Sequence, residues 1–267
     1  MIRIGTTSYI LWDDILPNVR YLAPLVDDVE LVLFESQGES NLPDGNTIRE
    51  LGEIARDNNL TYTVHFPLDV WPGSSEQKVR DASVETYLKI IRLTETLPVF
   101  SYVLHLTPEG FGKVPARDVP SWLGWMEESF SRMVSMAGLK PTMFSAETLS
   151  YPFAIIGPLV RKFGFSVTLD IGHIWLMGYD DKEAEKELLP QSRVCHLHGV
   201  RDGKDHQSLD VGDRADISGF LDALLLQSLD GKDRVLTLEV FSKDDFSSSL
   251  ALLQEAYPAI LRKERER

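Results

Sequence analysis

The sequence predicts an α/β protein: one domain, residues 1–267, folded as a single (β/α)8 barrel. Short apolar and β-branched runs alternate with helix-like segments about eight times along the chain. No long linker or change of composition divides it. The first strand is followed by no glycine-rich phosphate motif, which counts against the alternative, a doubly wound open sheet. Eight units in this length therefore favour a closed parallel barrel.

The predicted strands are short runs bounded by glycine, proline or polar residues, as in VELVLF at 29–34. Parallel strands need long crossover connections, and the segments between these runs are long enough to be helices. We predict strands at 1–4, 29–34, 61–64, 102–104, 143–146, 165–169, 193–197 and 235–238.

The predicted helices follow from apolar residues at helical spacing and from capping residues. In the segment 46–59, Ile48, Leu51 and Ala55 share one face, and Asn46 is the expected cap. Asp216 is the expected cap of a later helix. We predict helices at 16–26, 46–59, 75–97, 120–139, 152–163, 180–189, 216–229 and 246–260.

Composition and charge exclude several classes of protein. The net charge of −14 argues against a nucleic-acid partner, which needs a basic patch. No apolar run approaches the roughly 20 residues that cross a bilayer, so no membrane partner is expected. The single cysteine, Cys195, cannot form an internal disulfide, and we expect a cytoplasmic protein. Cys195 alternates with His196 along its strand, which favours a packed core residue over a nucleophile.

Histidines and carboxylates stand where the predicted strands end. In a barrel of this kind these ends converge on one face, where the chemistry takes place. A lone Asp170 with His173 three residues on is most simply a surface acid and a core histidine. Several such strand ends together would bury much unpaired charge, which bound metal ions would compensate. From the second strand onward the residues are Glu35, His65, His105, Glu147, Asp170, His196 and Glu239.

The type of ligand limits which metals can bind and which reactions they can support. Imidazole and carboxylate groups without thiolate favour zinc, manganese or iron. About eight candidate ligands exceed the needs of one ion, so we expect two divalent ions, or three. Two-metal sites stabilise the attacking and leaving oxygens of an in-line phosphoryl displacement. Phosphoester hydrolysis is therefore the leading prediction from the residues alone.

One ordered set of residues resembles the endonuclease-IV-like branch of the xylose-isomerase-like TIM barrels: His65, His105, Glu147, Asp170, His173, His196, His206 and Glu239. The resemblance spans nearly the whole chain. It implies one ion held by His65, His105 and Glu147; a second held by Glu147, Asp170, His196 and Glu239; and a third held by His173 and His206. The repair enzymes have an aspartate two residues before the second loop histidine, whereas this chain has Lys204. Asp202 or Asp205 is the expected substitute.

Longer stretches resemble a narrower family, the cobamide-remodelling phosphodiesterases. They include TTSYI, VHFPLD, VLHLTP, LDIGHIWLMGYD and CHLHGVRDGKDHQSLD. The resemblance implies a small-molecule substrate, a cobamide, whose nucleotide loop is hydrolysed to release α-ribazole and leave cobinamide phosphate. Glu147 or Glu239 would then be catalytic, orienting or deprotonating the attacking water.

Two further residues have open roles. Glu35 either contacts substrate or supports a ligand, or forms a salt bridge across the strand ends. His198 lies two residues after His196, so a regular strand would put both on one face. It is expected to support a ligand or contact substrate, with a simple loop role as the alternative.

Three other functions stay open. A sugar isomerase or epimerase would use Glu147, Asp170, His196 and Glu239 around one ion, leaving His65 and His105 unexplained. Abasic-site DNA repair conflicts with the negative charge. A corrinoid carrier without catalysis leaves the whole ligand set unexplained. The sequence gives no indication of the oligomeric state.

Overall fold

The computed structural model describes residues 1–36, 39–109 and 118–258. The strands are β1 (Ile2–Thr7), β2 (Asp28–Val32), β3 (Glu35–Ser36), β4 (Glu39–Ser40), β5 (Thr61–His65), β6 (Val99–Leu104), β7 (Phe144–Glu147), β8 (Ser166–Asp170), β9 (Ser192–Leu197), β10 (Gly199–Arg201), β11 (Lys204–Gln207) and β12 (Arg234–Leu238). The α-helices are α1 (Ile15–Leu22), α2 (Gly45–Asn58), α3 (Gln77–Thr94), α4 (Val119–Ala137), α5 (Gly157–Phe163), α6 (Ile171–Met177), α7 (Asp181–Leu188), α8 (Arg214–Gln227) and α9 (Lys243–Ala256).

Eight of the strands form a closed parallel barrel in the order β1, β12, β9, β8, β7, β6, β5, β2. The barrel closes because β1 pairs with β12 on one side, Ile2 opposite Arg234, and with β2 on the other, Gly5 opposite Asp28. The predicted (β/α)8 barrel is thus confirmed, and the open sheet is excluded. Hairpins β3–β4 and β10–β11 are additions on the connections that follow β2 and β9.

The hydrophobic core fills the space between the barrel strands and the surrounding helices. Phe66 packs against Tyr87 and Tyr102 at centroid distances of 4.6 and 5.3 Å. Each of these rings is at least 98% buried, which contributes about 1.5–3 kcal/mol per side chain. Cys195 is also buried, and burial raises the pKa of its thiol to about 12. The structure therefore agrees with a packed cysteine rather than a nucleophile.

Both predicted helix caps differ from the observed ones, by two and three residues. Asp44, not Asn46, caps α2 by accepting a hydrogen bond from the Thr47 N–H at 2.8 Å. Asp213, not Asp216, caps α8 through the Ala215 N–H at 2.7 Å. In each case the aspartate that caps the helix lies two or three residues before the predicted cap. Local spacing alone did not separate the two candidates.

No helix within the described ranges is long and apolar enough to cross a membrane.

Asp28 is a fully buried carboxylate at the start of β2. The Thr61 hydroxyl and the Thr63 N–H donate to it at 2.6 and 3.1 Å. Burial raises the pKa of Asp28 to about 6, although both threonines act to lower it. The folded state therefore binds this proton more tightly than the unfolded state. The resulting stability is present below pH 4 and is lost as the pH rises through about 6.

We expect Asp28→Asn to stabilise the protein at pH 7.5 by about 2–3 kcal/mol, because it removes the buried charge. The amide oxygen can still accept from the Thr63 N–H, and the amide nitrogen can donate to the Thr61 hydroxyl, which reverses that hydrogen bond. The gain should disappear near pH 4. Urea unfolding at both pH values measures it, with the exposed Asp222→Asn as control. Equal stability of the variant and the wild type at pH 7.5 would contradict the expectation.

Candidate metal centre

All six histidines of the chain gather with four carboxylates at the carboxyl ends of the barrel strands. His65, Glu147 and Asp170 are the last residues of β5, β7 and β8. His105 directly follows β6, and Glu239 directly follows β12. Strand geometry thus carries the side chains to one place, as the sequence predicted. The eight predicted ligands fall into three groups that share members, each group able to hold an ion.

The first group consists of His65, His105 and Glu147. The His105 Nε2 lies 2.8 Å from Glu147 Oε2, and the His65 Nε2 lies 3.5 Å from the same oxygen. His65 Nδ1 is 2.9 Å from the Phe66 carbonyl oxygen, so it carries the proton and donates there. When the ring is neutral, as a metal ligand must be, the lone pair of His65 is on Nε2, which lies on the side of Glu147. This tautomer suits a metal ligand.

The second group consists of Glu147, Asp170, His196 and Glu239. The His196 Nδ1 lies 3.0 Å from Glu239 Oε2, 3.6 Å from Glu147 Oε1 and 3.8 Å from Asp170 Oδ2. Glu147 therefore presents Oε2 to the first group and Oε1 to the second. A carboxylate in this position can bridge two ions.

Glu30 is a residue of this centre that the sequence analysis missed. Its Oε2 lies 3.0 Å from His196 Nε2, and both side chains are fully buried. The His196 Nε2–H donates to Glu30, which leaves the Nδ1 lone pair free for a metal ion. Glu30 also forms a possible ligand set with His65 and Glu239. The sequence held a signal: a glutamate inside the apolar run VELVLF is rarely buried without a partner.

Replacing Glu30 by glutamine should lower the affinity of the centre for zinc by about 10–100-fold, because Glu30 fixes the tautomer of His196 and raises its basicity. A competition titration with a chelator of known affinity measures the change. The exposed Glu85→Gln is the matched control. An unchanged affinity would mean that His196 is oriented without Glu30.

The third group consists of Asp170, His173, His198 and His206. The expected glycine-loosened turn after Asp170 is instead the start of α6, and Asp170 caps this helix by accepting the His173 N–H at 2.8 Å. The His173 Nδ1 is 3.0 Å from the Thr148 carbonyl oxygen, so its Nε2 is the nitrogen free for a metal.

Of the two acids proposed to replace the missing aspartate, Asp205 lies at the third group. Its carboxylate is 3.3 Å from His206 Nδ1 and 3.9 Å from His173 Nε2. Asp202 instead forms, with Gly203, the two-residue turn of hairpin β10–β11, where both have positive φ (53° and 72°). His206 Nε2 lies 3.4 Å from Glu239, which links the third group to the second.

The two residues with open roles are placed differently. Glu35 forms an ion pair with Lys89 of helix α3 rather than across the strand ends, and a hydrogen bond from Lys89 lowers the pKa of Glu35. It belongs to none of the metal-binding groups found among the described residues. His198 is fully buried against Asp170 and the backbone of His206, the geometry of a residue that supports a ligand.

Attraction between the imidazoles and the carboxylates determines the pKa values of the centre. Burial alone would lower the pKa of His196, but Glu239, Glu30 and Glu147 outweigh it and hold the pKa well above its ordinary value. Burial likewise disfavours protonated His206, yet its close contact with Glu239 and the other nearby carboxylates raise its pKa to about 9. The pKa of Glu239 is held well below the ordinary value: burial would raise it, but His196 and His206 prevail.

The buried polar atoms of this centre fit metal ions. Many lie close to one another without the alignment of a hydrogen bond, although unpaired buried polar atoms are costly in proteins. They are Glu30 Oε1, both carboxylate oxygens of Glu147, Asp170 Oδ2, His196 Nδ1, His198 Nε2 and Glu239 Oε2. Divalent ions would satisfy the carboxylate oxygens and His196 Nδ1 among them, and this donor set suits zinc, manganese or iron.

Comparisons with known proteins agree with the barrel. A family model described as xylose isomerase-like TIM barrel matches residues 26–260. No curated protein matches the chain significantly.

Among solved structures, a D-tagatose 3-epimerase-like protein is 21% identical with a TM-score of 0.76, covering 98% of this chain and 99% of that one. An L-ribulose 3-epimerase is 17% identical with a TM-score of 0.73, covering 100% of both chains. Endonuclease IV from Thermus thermophilus is 16% identical with a TM-score of 0.68, covering 97% of this chain and 98% of that one. At these identities the likeness shows a shared fold.

Proposed function

This chain belongs to the xylose isomerase-like TIM barrel family, and on that basis we propose that it is a metal-dependent phosphodiesterase. The observation that carries the proposal is the position of Glu147, whose two oxygens face two different ligand groups. Two ions that share a carboxylate suit an in-line displacement at phosphorus. A single-ion reaction gives His65 and His105 no role.

Divalent ions held by these groups would supply an activated water and neutralise the phosphoryl oxygens. The chain's own residues then divide the remaining tasks. Glu239 or Glu147 orients the attacking water or accepts its proton, because both are buried at the centre and their lowered pKa values keep them ionised. Glu30 holds His196 in the tautomer that presents Nδ1 to the centre.

The substrate we propose is a cobamide, cleaved at the phosphodiester of its nucleotide loop to give α-ribazole and cobinamide phosphate. The stretches LDIGHIWLMGYD and CHLHGVRDGKDHQSLD, which resemble cobamide-remodelling enzymes, contain four of the histidines and Asp170 of the centre. The net charge of −14 favours a small phosphodiester over a nucleic-acid duplex.

The test is to incubate purified, metal-analysed protein with adenosylcobalamin and zinc, manganese, iron or cobalt, and to measure α-ribazole by liquid chromatography. We expect release that is lost in His105→Ala and Asp170→Ala variants whose circular dichroism is unchanged. Lack of release with every metal would overturn the proposed substrate. Nicking of an abasic duplex would point to DNA repair, and tight cobamide binding without turnover to a carrier.

A sugar epimerase is the second candidate, and one observation favours it. The second group by itself surrounds a single position with Glu147 and Glu239, two carboxylates that could exchange protons with a ketose. The two structurally similar epimerases share the fold. One metal per chain, together with epimerisation of a ketose that survives His65→Ala and His105→Ala, would establish it over the diesterase.

A further inference from the structure

His198 lies between two of the ligand groups, fully buried in the barrel mouth. Its Nε2 is 3.2 Å from Asp170 Oδ1. Its Nδ1 accepts a hydrogen bond from the backbone N–H of His206 at 3.0 Å. Position alone would count this imidazole among the possible ligands of a third ion. The hydrogen bond at Nδ1 indicates otherwise, and Nε2 lies beside Asp170 without the alignment of a hydrogen bond.

A neutral imidazole has one protonated nitrogen and one lone pair. In His198 the lone pair is on Nδ1, because the His206 N–H donates to that atom at 3.0 Å, whereas the Gly199 carbonyl oxygen is farther away at 3.4 Å. Nε2 therefore carries the proton and has no lone pair for a metal ion. We propose that His198 is a positioning residue, not a ligand, which holds Asp170 and His206 in place so that they can bind metal.

The first consequence concerns Asp170. Its Oδ1 accepts the His173 N–H at 2.8 Å and faces the protonated Nε2 of His198. Its Oδ2 has no hydrogen-bond partner and faces His173 Nδ1 at 3.0 Å and His196 Nδ1 at 3.8 Å. His198 thus helps to decide which oxygen of Asp170 is free for the ion of the second group.

The second consequence concerns His206. Its backbone has φ of 52°, a left-handed conformation that non-glycine residues adopt uncommonly. The bond from its N–H to His198 fixes that conformation and ties hairpin β10–β11 to the barrel. One imidazole therefore positions a ligand of the second group and a ligand of the third.

Gly172 makes room for this arrangement. A Cβ atom at Gly172 would lie 2.1 Å from His198 Cε1 and 2.4 Å from Nε2, so any side chain there would displace the ring. The glycine after Asp170 is therefore explained by the close approach of His198 to the first turn of α6.

The inference rests on the metal centre of the proposed function but is independent of the reaction, so its tests use metal binding. The first is a long-range 15N correlation spectrum of zinc-loaded protein labelled at histidine. We expect the Nε2–H tautomer for His198, assigned by its loss in His198→Asn. A His198 Nε2 bound to zinc would overturn the proposal. Protein that binds no divalent metal would overturn the proposed centre and the inference together.

The second test separates the two contacts. Asparagine places an acceptor near the position of Nδ1 but cannot reach Asp170, whereas glutamine places an amide donor near Nε2 and lacks the Nδ1 acceptor. We expect His198→Asn to weaken the ion of the second group and His198→Gln the ion of the third, each by about 10–100-fold. Zinc titrations in the wild-type and His206→Ala backgrounds distinguish them, since His206→Ala should cancel the effect of His198→Gln only.

Gly172→Ala provides a test that leaves His198 in place. It should weaken both ions, whereas Gly124→Ala, where a Cβ meets nothing within 4 Å, should weaken neither. The proposal is overturned if His198→Asn and His198→Gln both bind zinc like the wild type. It is also overturned if each removes one ion outright, as loss of a ligand would.

Discussion

Replacing Glu147 by glutamine is expected to lower zinc affinity and turnover by more than 100-fold, beyond the roughly 10–100-fold effect of residues that only support ligands. Glu147 is fully buried, and its two oxygens face His105 and His196 from different sides. Glutamine has one carbonyl oxygen and no charge, so it cannot serve both groups. Metal analysis after dialysis and the rate of phosphodiester cleavage measure the two effects.

Glu53→Gln, at an exposed position of α2, is the control and should match the wild type in both measurements. Loss of one ion with the other retained would still identify Glu147 as a ligand but would show that it does not bridge. If the Glu147→Gln variant keeps its full metal content, Glu147 does not hold two ions, and the proposed diesterase loses its main support.

The second large effect expected is a steep dependence of metal-induced stabilisation on pH. In metal-free protein the pKa of His206 is raised to about 9, and those of His65, His173 and His196 are also raised. Their protonated forms stabilise the fold below about pH 6.5, and this contribution is lost as the pH rises towards 9. Metal ions need the deprotonated imidazoles, so binding releases protons and strengthens across the same range.

The melting temperature should therefore rise on addition of zinc by an amount that grows from pH 6 to pH 9. Each released proton is worth about 1.4 kcal/mol per pH unit, or about 3–6 °C for a chain of this size. Differential scanning fluorimetry with and without zinc measures the difference. A thermal shift independent of pH would show that the imidazoles are already deprotonated in the metal-free protein.

The barrel could be predicted because its information is local. Each strand is a short β-branched run with a glycine, proline or polar boundary, and all eight barrel strands lie within three residues of their predicted bounds. The convergence of strand ends then brought distant residues such as His65 and Glu239 to one centre. This step needed only the general geometry of a parallel barrel.

The other features of the metal centre depend on three-dimensional contacts that the spacing of residues along the chain does not reveal. Glu30 was missed because its partner, His196, is 166 positions away. Asp205 rather than Asp202 lies at the third group because Asp202 is in the turn of hairpin β10–β11, and the sequence predicts only a loop there. The role of His198 depended on which nitrogen faces a backbone N–H. The substrate is harder still to predict from the sequence, because an epimerase and a nuclease share this fold.

The burial of Cys195 allows thiol labelling to measure how often the barrel opens. It is the single thiol of the chain, and it is fully buried on barrel strand β9 beside His196. A thiol reagent can react with it only in molecules whose barrel has opened, so the labelling rate reports the population of open barrel under native conditions. Each ion that binds only the closed barrel must slow the labelling by a factor of 1 + [metal]/Kd for its own site. Labelling rates over a series of metal concentrations, compared with the rate in metal-free protein, therefore measure metal affinity without any substrate.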